Sequence, residues 1–167
     1  MKNLVLTGFM GTGKTTVGKI LAKKLGYRFV DSDIEIERAE QKSISELFDL
    51  YGEDGFRDIE SRVIAQLSQK NNSVIATGGG AVLRKENIEN LRKNGVVILL
   101  RTDIDTIASR LADKTDRPLA RGQSLEELSK RLADREPYYA NNDFAFDISG
   151  LSPLNIADKI IDLYRKL

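Results

Sequence analysis

The stretch Gly8-Phe9-Met10-Gly11-Thr12-Gly13-Lys14-Thr15 satisfies G-x-x-x-x-G-K-[ST] at every specified position, and it constrains the fold more than any other feature of the chain. Its glycines let the backbone curl so that successive N–H groups point inward around an anion. The flanks supply what such a loop needs. Leu4-Val5-Leu6 reads as a short buried strand ending at Gly8, and Val17, Ile20, Leu21 and Leu25 recur at helical spacing until Gly26 closes the segment. Strand, glycine loop and helix thus follow in the order of a nucleotide-phosphate site, where Lys14 reaches the β- and γ-phosphates and Thr15 holds Mg²⁺. A dinucleotide fingerprint is the nearer rival, since Gly11-x-Gly13 has acidic residues about twenty positions on. Thr16 stands where its third glycine belongs, and Lys14-Thr15 has no part in it.

The rest of the chain alternates strand and helix without a repeat, low-complexity tract or proline-rich linker. Phe29-Val30 runs into Asp31-Ser32-Asp33, and Val74-Ile75-Ala76-Thr77 runs into Gly78-Gly79-Gly80. Val96-Val97-Ile98-Leu99-Leu100 is the clearest buried strand, while Phe144, Phe146 and Ile148 alternate as a half-covered one would. Five strands separated by helices imply an α/β fold whose parallel sheet is covered on both faces. Ser43 with Glu46 and Ser124 with Glu127 read as capping boxes, ahead of Ile44, Leu47, Phe48 and Tyr51 and of Leu125, Leu128 and Leu132. Ser152-Pro153 opens a last helix whose Leu154, Ala157, Ile160, Ile161 and Tyr164 are expected to dock on the sheet. Asp113 to Gln123 is largely charged and reads as a mobile excursion, which beside a nucleotide suggests a lid.

With 167 residues and 41% hydrophobic content the chain suits one domain, taken as 1–167. Its 26 basic and 25 acidic residues leave a net charge of +1, so no excess field points to nucleic acid or an anionic membrane. It contains neither cysteine nor histidine, which excludes disulfides, thiolate metal sites and imidazole catalysis. No apolar run approaches transmembrane length, and the apolar start breaks at Gly8 too early for a signal peptide. A cytoplasmic monomer is expected.

Ligands of open α/β sheets bind beyond the carboxyl ends of the strands, where this chain puts Gly8, Asp31, Asp33 and the triple glycine. The third strand ends without an acid, so Asp31 or Asp33 must supply the metal-associated carboxylate; otherwise the two merely cap the next helix. Three consecutive glycines after a buried strand point to close approach of a ligand. Arg57 and Glu60, three apart on a helix beginning near Phe56, alone read as a surface ion pair. Arg135 falls three after Leu132 and seven after Leu128, so its guanidinium continues an apolar face toward the interior and calls for an anion.

Over nearly its whole length the chain resembles the shikimate kinases. Arg57, Glu60 and Ile64 with Val74 to Val82 match that family's basic residue, glutamate and strand ending in a triple glycine. Asp31-Ser32-Asp33, Arg117-Pro118-Leu119 and Arg135-Glu136-Pro137-Tyr138-Tyr139 match three further motifs, with Ala120 replacing the leucine common after R-P-L. The resemblance implies a three-layer P-loop kinase fold with a substrate-binding segment near 31–60 and a lid near 113–123. It also implies transfer of the ATP γ-phosphoryl group to the 3-hydroxyl of shikimate, in aromatic amino-acid biosynthesis. Lys14, Asp33 and Arg117 are its catalytic positions, and Thr15 and Asp31 its Mg²⁺ positions. Gly11, Thr12, Gly13, Lys14, Thr15, Thr16, Arg110, Arg117 and Pro153 would bind nucleotide, with Arg110 and the turn from Ser149 to Pro153 on the adenine side. Asp33, Arg57, Gly78, Gly79, Gly80 and Arg135 would bind shikimate, and Glu60 would orient Arg57. A gluconate-type kinase or a non-catalytic nucleotide switch would share the loop and lack the Arg57, triple-glycine and Arg135 combination.

Overall fold

A computed structural model describes residues 2–112 and 124–167. Five parallel strands, β1 (Asn3–Thr7), β2 (Arg28–Asp31), β3 (Ser73–Ala76), β4 (Gly95–Arg101) and β5 (Phe144–Asp147), form one sheet in the order β2-β3-β1-β4-β5. The central strand sets the register, with Val5 opposite Ile75 on one side and Val97 on the other. Its two flanking strands come later in the chain, which opens a crevice beyond its carboxyl end, at Gly8.

Alternation along the strands builds two cores. Val5, Val30, Ile75, Val97 and Leu99 face a layer made from α2 (Ser32–Glu40), α3 (Ile44–Leu67), α4 (Lys85–Lys93), α5 (Ile104–Ala112) and α6 (Leu125–Tyr139). Leu4, Leu6, Val74, Ile98 and Leu100 face the opposite layer, α1 (Lys14–Leu25) and α7 (Pro153–Tyr164). The expected α/β architecture with both faces covered is therefore present; the lid segment lies outside the described residues. Among the described residues no helix is long and apolar enough to cross a membrane.

Several local expectations change. The helix carrying Arg57 begins just after Gly52, a few residues before Phe56, and is joined to the helix from Ile44 as one element: α3 is two helical stretches kinked at Gly52 (φ 69°, ψ −177°), a left-handed φ that favours glycine. The break ends the helical phase, so Tyr51 just before it is 53% exposed instead of buried. Leu125 and Leu154 are each half exposed because they stand in first turns, ahead of the first buried positions Leu128 and Ile156. The Ser124–Glu127 capping box forms in both directions, at 3.2 and 3.3 Å. The Ser43 box forms by half: Ser43 accepts from the Glu46 N–H, and the carboxylate that reaches back to the helix start, at Ile44 N–H, is that of Glu37.

Ile98 is 1% exposed between β4 and the α1–α7 layer, so Ile98→Ala should lower unfolding stability by about 2–5 kcal/mol. Leu154→Ala should stay within about 0.5 kcal/mol despite its helical spacing. Urea unfolding of both variants checks this; a Leu154→Ala cost as large as that of Ile98→Ala would contradict the placement of the first turn of α7.

Candidate active site

The loop between β1 and α1 holds Gly8, Gly11 and Gly13 at φ 145°, 81° and 86°. Gly8 has a second constraint, since a Cβ there would stand 2.3 Å from the Leu100 carbonyl oxygen at the end of β4. Gly13 caps α1 without a side chain, and no acidic residue occupies the first turn, which leaves the helix N-terminus to an anion. Thr12 closes the loop by donating to the Phe9 carbonyl through N–H (3.3 Å) and hydroxyl (2.8 Å). Lys14 is 7% exposed and its Nζ lies across the loop, donating to the carbonyls of Gly8 (2.6 Å) and Phe9 (3.0 Å). Arg110 reaches the same loop from α5, donating to the Gly11 carbonyl at 3.3 Å. Thr16 is exposed in the first turn of α1.

The two aspartates diverge because the strand turns into helix between them. Asp31 ends β2; its Oδ1 accepts from the N–H groups of Asp33 (2.9 Å) and Ile34 (3.3 Å), while Oδ2 accepts from the Thr15 hydroxyl (3.1 Å). Capping and the link to the phosphate loop are thus shared by one carboxylate. Asp33, in the first turn of α2, turns to β3, with Oδ1 2.8 Å from where a Cβ on Gly78 would stand. Between them Ser32 is buried and its hydroxyl accepts the Gly78 N–H at 3.0 Å.

Each glycine of the triple faces a functional side chain. A Cβ on Gly78 would meet Asp33 and, at 3.1 Å, Glu60; on Gly79 it would lie 3.4 Å from Arg135 Nη1; on Gly80 it would lie 2.3 Å from Arg57 Nη2. Any larger residue at Gly80 displaces the Arg57 guanidinium. Arg57 and Glu60 are 5% and 1% exposed, so their 3.0 Å pair is not the surface ion pair that spacing alone suggested. Glu53 accepts from Nη2 at 3.3 Å, and the stacked rings of Phe48 and Phe56 lie 5.9 and 5.3 Å from the guanidinium carbon. Burial pushes the Glu60 carboxyl above its usual range, against the opposing pull of Arg57, Arg135 and Arg84. Arg135, 5% exposed, sits 5.6 Å over the ring of Phe9 from the phosphate loop. Arg57 Nε, Glu60 Oε2 and Arg135 Nη1 are buried without a hydrogen-bond partner. Buried polar groups are normally satisfied, so two guanidiniums with spare donors around a side-chain-free turn are arranged to receive an anion with hydroxyl groups.

The shikimate kinase family model matches residues 10–165. The chain belongs to the shikimate kinase family. A shikimate kinase from Thermodesulfovibrio yellowstonii is 51% identical over 100% of this chain and 97% of that protein. Shikimate kinase from Acinetobacter baumannii, solved in complex with shikimate, superposes with a TM-score of 0.93 at 36% identity, covering 99% of this chain and 94% of that one. The enzyme from Aquifex aeolicus superposes with a TM-score of 0.85 at 30% identity, covering 98% and 96%.

Of the positions that the shikimate kinase resemblance singles out, the fold gathers the phosphate loop, Asp31, Asp33, Arg57, the triple glycine and Arg135 at one end of the sheet. Arg110 joins them at the loop. Pro153 stands exposed at the start of α7, beyond β5, and Arg117 lies outside the described residues. Sequence reasoning gave no role to Ser32, Glu53, Phe9, Phe48, Phe56 or Tyr139. Tyr139 had a visible signal: it lies four residues after Arg135, on the same helical face.

The Tyr139 hydroxyl donates to the Gly79 carbonyl at 2.6 Å, and burial raises its pKa from 10.0 to about 12, with Arg135 opposing. A raised folded-state value means a contribution intact below pH 10 and lost as pH rises through about 12. At 1.36 kcal/mol per unit that is roughly 2–3 kcal/mol. Tyr139→Phe should therefore flatten the alkaline fall in stability. Tyr164, raised by burial and its bond to Tyr27, titrates in both proteins, so the difference between their urea midpoints across pH 9–12 isolates Tyr139. Parallel curves would contradict this assignment.

Proposed function

We propose that the chain transfers the γ-phosphoryl group of ATP to the 3-hydroxyl of shikimate, giving shikimate 3-phosphate and ADP. The observation that carries this reading is the pair of buried guanidiniums, Arg57 and Arg135, with unpartnered nitrogens and their forks against Gly79 and Gly80. Shikimate is a small ring with one carboxylate and three hydroxyls. Planar forks suit its carboxylate end, a carboxylate acceptor suits a hydroxyl, and a turn without side chains allows close approach. Arg57, anchored by Glu60 and Glu53, takes the carboxylate together with Arg135. Gly78, Gly79 and Gly80 line the ring, and Asp33 accepts from the 3-hydroxyl.

On the donor side, the N–H groups of Gly11, Gly13, Lys14, Thr15 and Thr16 receive the phosphates at the start of α1, joined by that of Thr12 as it exchanges the Phe9 carbonyl for a phosphate oxygen. Lys14 exchanges its two carbonyl partners for phosphate oxygens, so a cation already held at the loop neutralises charge as it grows on the transferring group. The 3-hydroxyl oxygen forms the new bond to the γ-phosphorus as the bond to the β,γ-bridging oxygen breaks, and the hydroxyl proton passes to Asp33. Alignment dominates such a loose transfer, with proton removal coming late. Arg117 contributes a second cation to the same phosphoryl group, and Arg110 and Pro153 border the nucleotide.

The residues present fit Mg²⁺. One carboxylate beside one hydroxyl, Asp31 and Thr15, is the sparse protein donor set of a Mg²⁺ that keeps waters and nucleotide phosphates as its other ligands, and the described residues hold no cluster of three or more metal-binding side chains. Held by Asp31 and Thr15, Mg²⁺ would offset the negative charge of the nucleotide phosphates.

Incubation with ATP, Mg²⁺ and shikimate should release ADP, whereas gluconate in place of shikimate should not. ADP release with gluconate alone would favour a different sugar-acid kinase, and no release with either would favour a nucleotide switch. Asp33→Asn keeps size and loses charge, so it should lower turnover by roughly 10²- to 10⁴-fold with ATP affinity nearly unchanged. Asp31→Asn keeps an acceptor for the α2 cap and should instead raise the Mg²⁺ requirement. Titrating Mg²⁺ against rate decides it, because rescue of Asp33→Asn by excess metal, with none for Asp31→Asn, reverses the two roles. Arg57→Lys cannot reproduce the fork beneath Gly80 and should weaken shikimate by about 2–5 kcal/mol while sparing ATP. Loss of ATP affinity with shikimate affinity intact would move Arg57 to the nucleotide side.

A further inference from the structure

Tyr139 is a buried ionisable side chain, 3% exposed, to which the phosphoryl transfer assigns no task. It follows Arg135 by one turn of α6, and its hydroxyl reaches out of the helix to the Gly79 carbonyl at 2.6 Å. The positive charge of Arg135 acts on the same phenol, opposing the rise that burial gives its pKa. Arg135 is bounded on its other sides by the ring of Phe9, 5.6 Å away, and by Gly79, whose Cβ position lies 3.4 Å from Nη1. A long guanidinium side chain has many rotamers, and a glycine turn has more backbone freedom than any other. Neither fixes the other without a group that joins the two elements they belong to.

We propose that Tyr139 is a positioning residue for acceptor recognition: its hydroxyl pins the Gly79 carbonyl to the helix that carries Arg135, so that the fork and the glycine turn meet the acceptor as one preorganised surface. The helix alone cannot do this, because the Gly79 carbonyl belongs to a different element, after β3. Arg135 Nη1, without a hydrogen-bond partner, is then left for the acceptor carboxylate or a ring hydroxyl. Phenylalanine would fill the same space and remove the hydrogen bond to Gly79, so the volume of the site survives while its geometry loosens.

This inference rests on shikimate being the acceptor, and the experiment separates the two. With wild type, Tyr139→Phe, Arg135→Lys and the double variant, steady-state rates are measured against ATP and shikimate separately, alongside thermal melting. Tyr139→Phe should raise the KM for shikimate roughly tenfold, keep kcat within about threefold and leave the KM for ATP unchanged. In the Arg135→Lys background the same substitution should shift the KM for shikimate by less than about twofold, because no fork remains to be positioned. An unmoved KM for shikimate in Tyr139→Phe overturns the proposal, as does an equal rise for ATP, full additivity in the double variant, or a Tyr139→Phe protein that does not fold at room temperature. Absence of ADP formation by the wild type overturns the acceptor assignment and this proposal with it, whereas normal wild-type turnover with any of those results overturns this proposal alone.

Discussion

The buried ion pair of Arg57 and Glu60 is the constraint from which the rest of the site follows. Taking both charges out of water costs several kcal/mol per ion, and a single 3.0 Å contact does not offset that unless the surroundings are fitted to it. Here the guanidinium is flanked by two phenylalanine rings, met by a second carboxylate from Glu53, and covered by a turn that has no side chain at Gly80. Each accommodation constrains something else. Gly52 breaks α3 one residue before Glu53, and β3 must end where its glycines lie over α3. Glu60 is held by Arg57, and the spare Nε and Oε2 atoms remain as the polarity the pocket offers.

The glycine turn then acts as the common reference for elements distant in sequence. The Gly78 N–H is held by Ser32 from α2, the Gly79 carbonyl by Tyr139 from α6, and Gly80 lies against Arg57 from α3, while a Cβ on Gly79 would stand 3.3 Å from the Met10 N–H nitrogen of the phosphate loop. The phosphate loop and the two buried guanidiniums therefore meet at one turn beside the central strand. Positioning of two reactants can account for about 7–11 kcal/mol of a barrier, and a displacement of about 1 Å can cost 10²-fold. That sensitivity gives a physical reason to fix the turn from three sides.

Much of this was legible in the chain. The phosphate loop, the five strands and both aspartates come from local patterns, because a strand running into glycines or acids needs no distant partner to be recognised. Arg135 was legible as well, since its phase on α6 continues Leu128 and Leu132. The burial of Arg57 and Glu60 was not: an i, i+3 pair looks the same on an exposed helix as on a covered one, and only the turn after β3, about twenty residues away, decides between them. Helical spacing likewise overcounted the core at Leu154, Leu125 and Tyr51, since periodicity reports a face and says nothing of where a helix first meets its neighbour. Tyr139 stayed unread because its partner is a backbone carbonyl, which every residue carries.

The separation of Asp31 from Asp33 shows how little geometry is needed to divide two like residues. In extended backbone, residues two apart share a face, and both carboxylates would crowd one phosphate loop. Helix begins at Ser32 instead, so the chain rotates by about 100° per residue beyond Asp31. Asp31 is itself what starts that rotation, since its Oδ1 accepts the Asp33 and Ile34 N–H groups left open at the helix start. Its remaining oxygen is left for the Thr15 side of the crevice, while Asp33 is carried round to Gly78. The cap is therefore the device that leaves one carboxylate beside the phosphate loop and carries the other to the glycine turn.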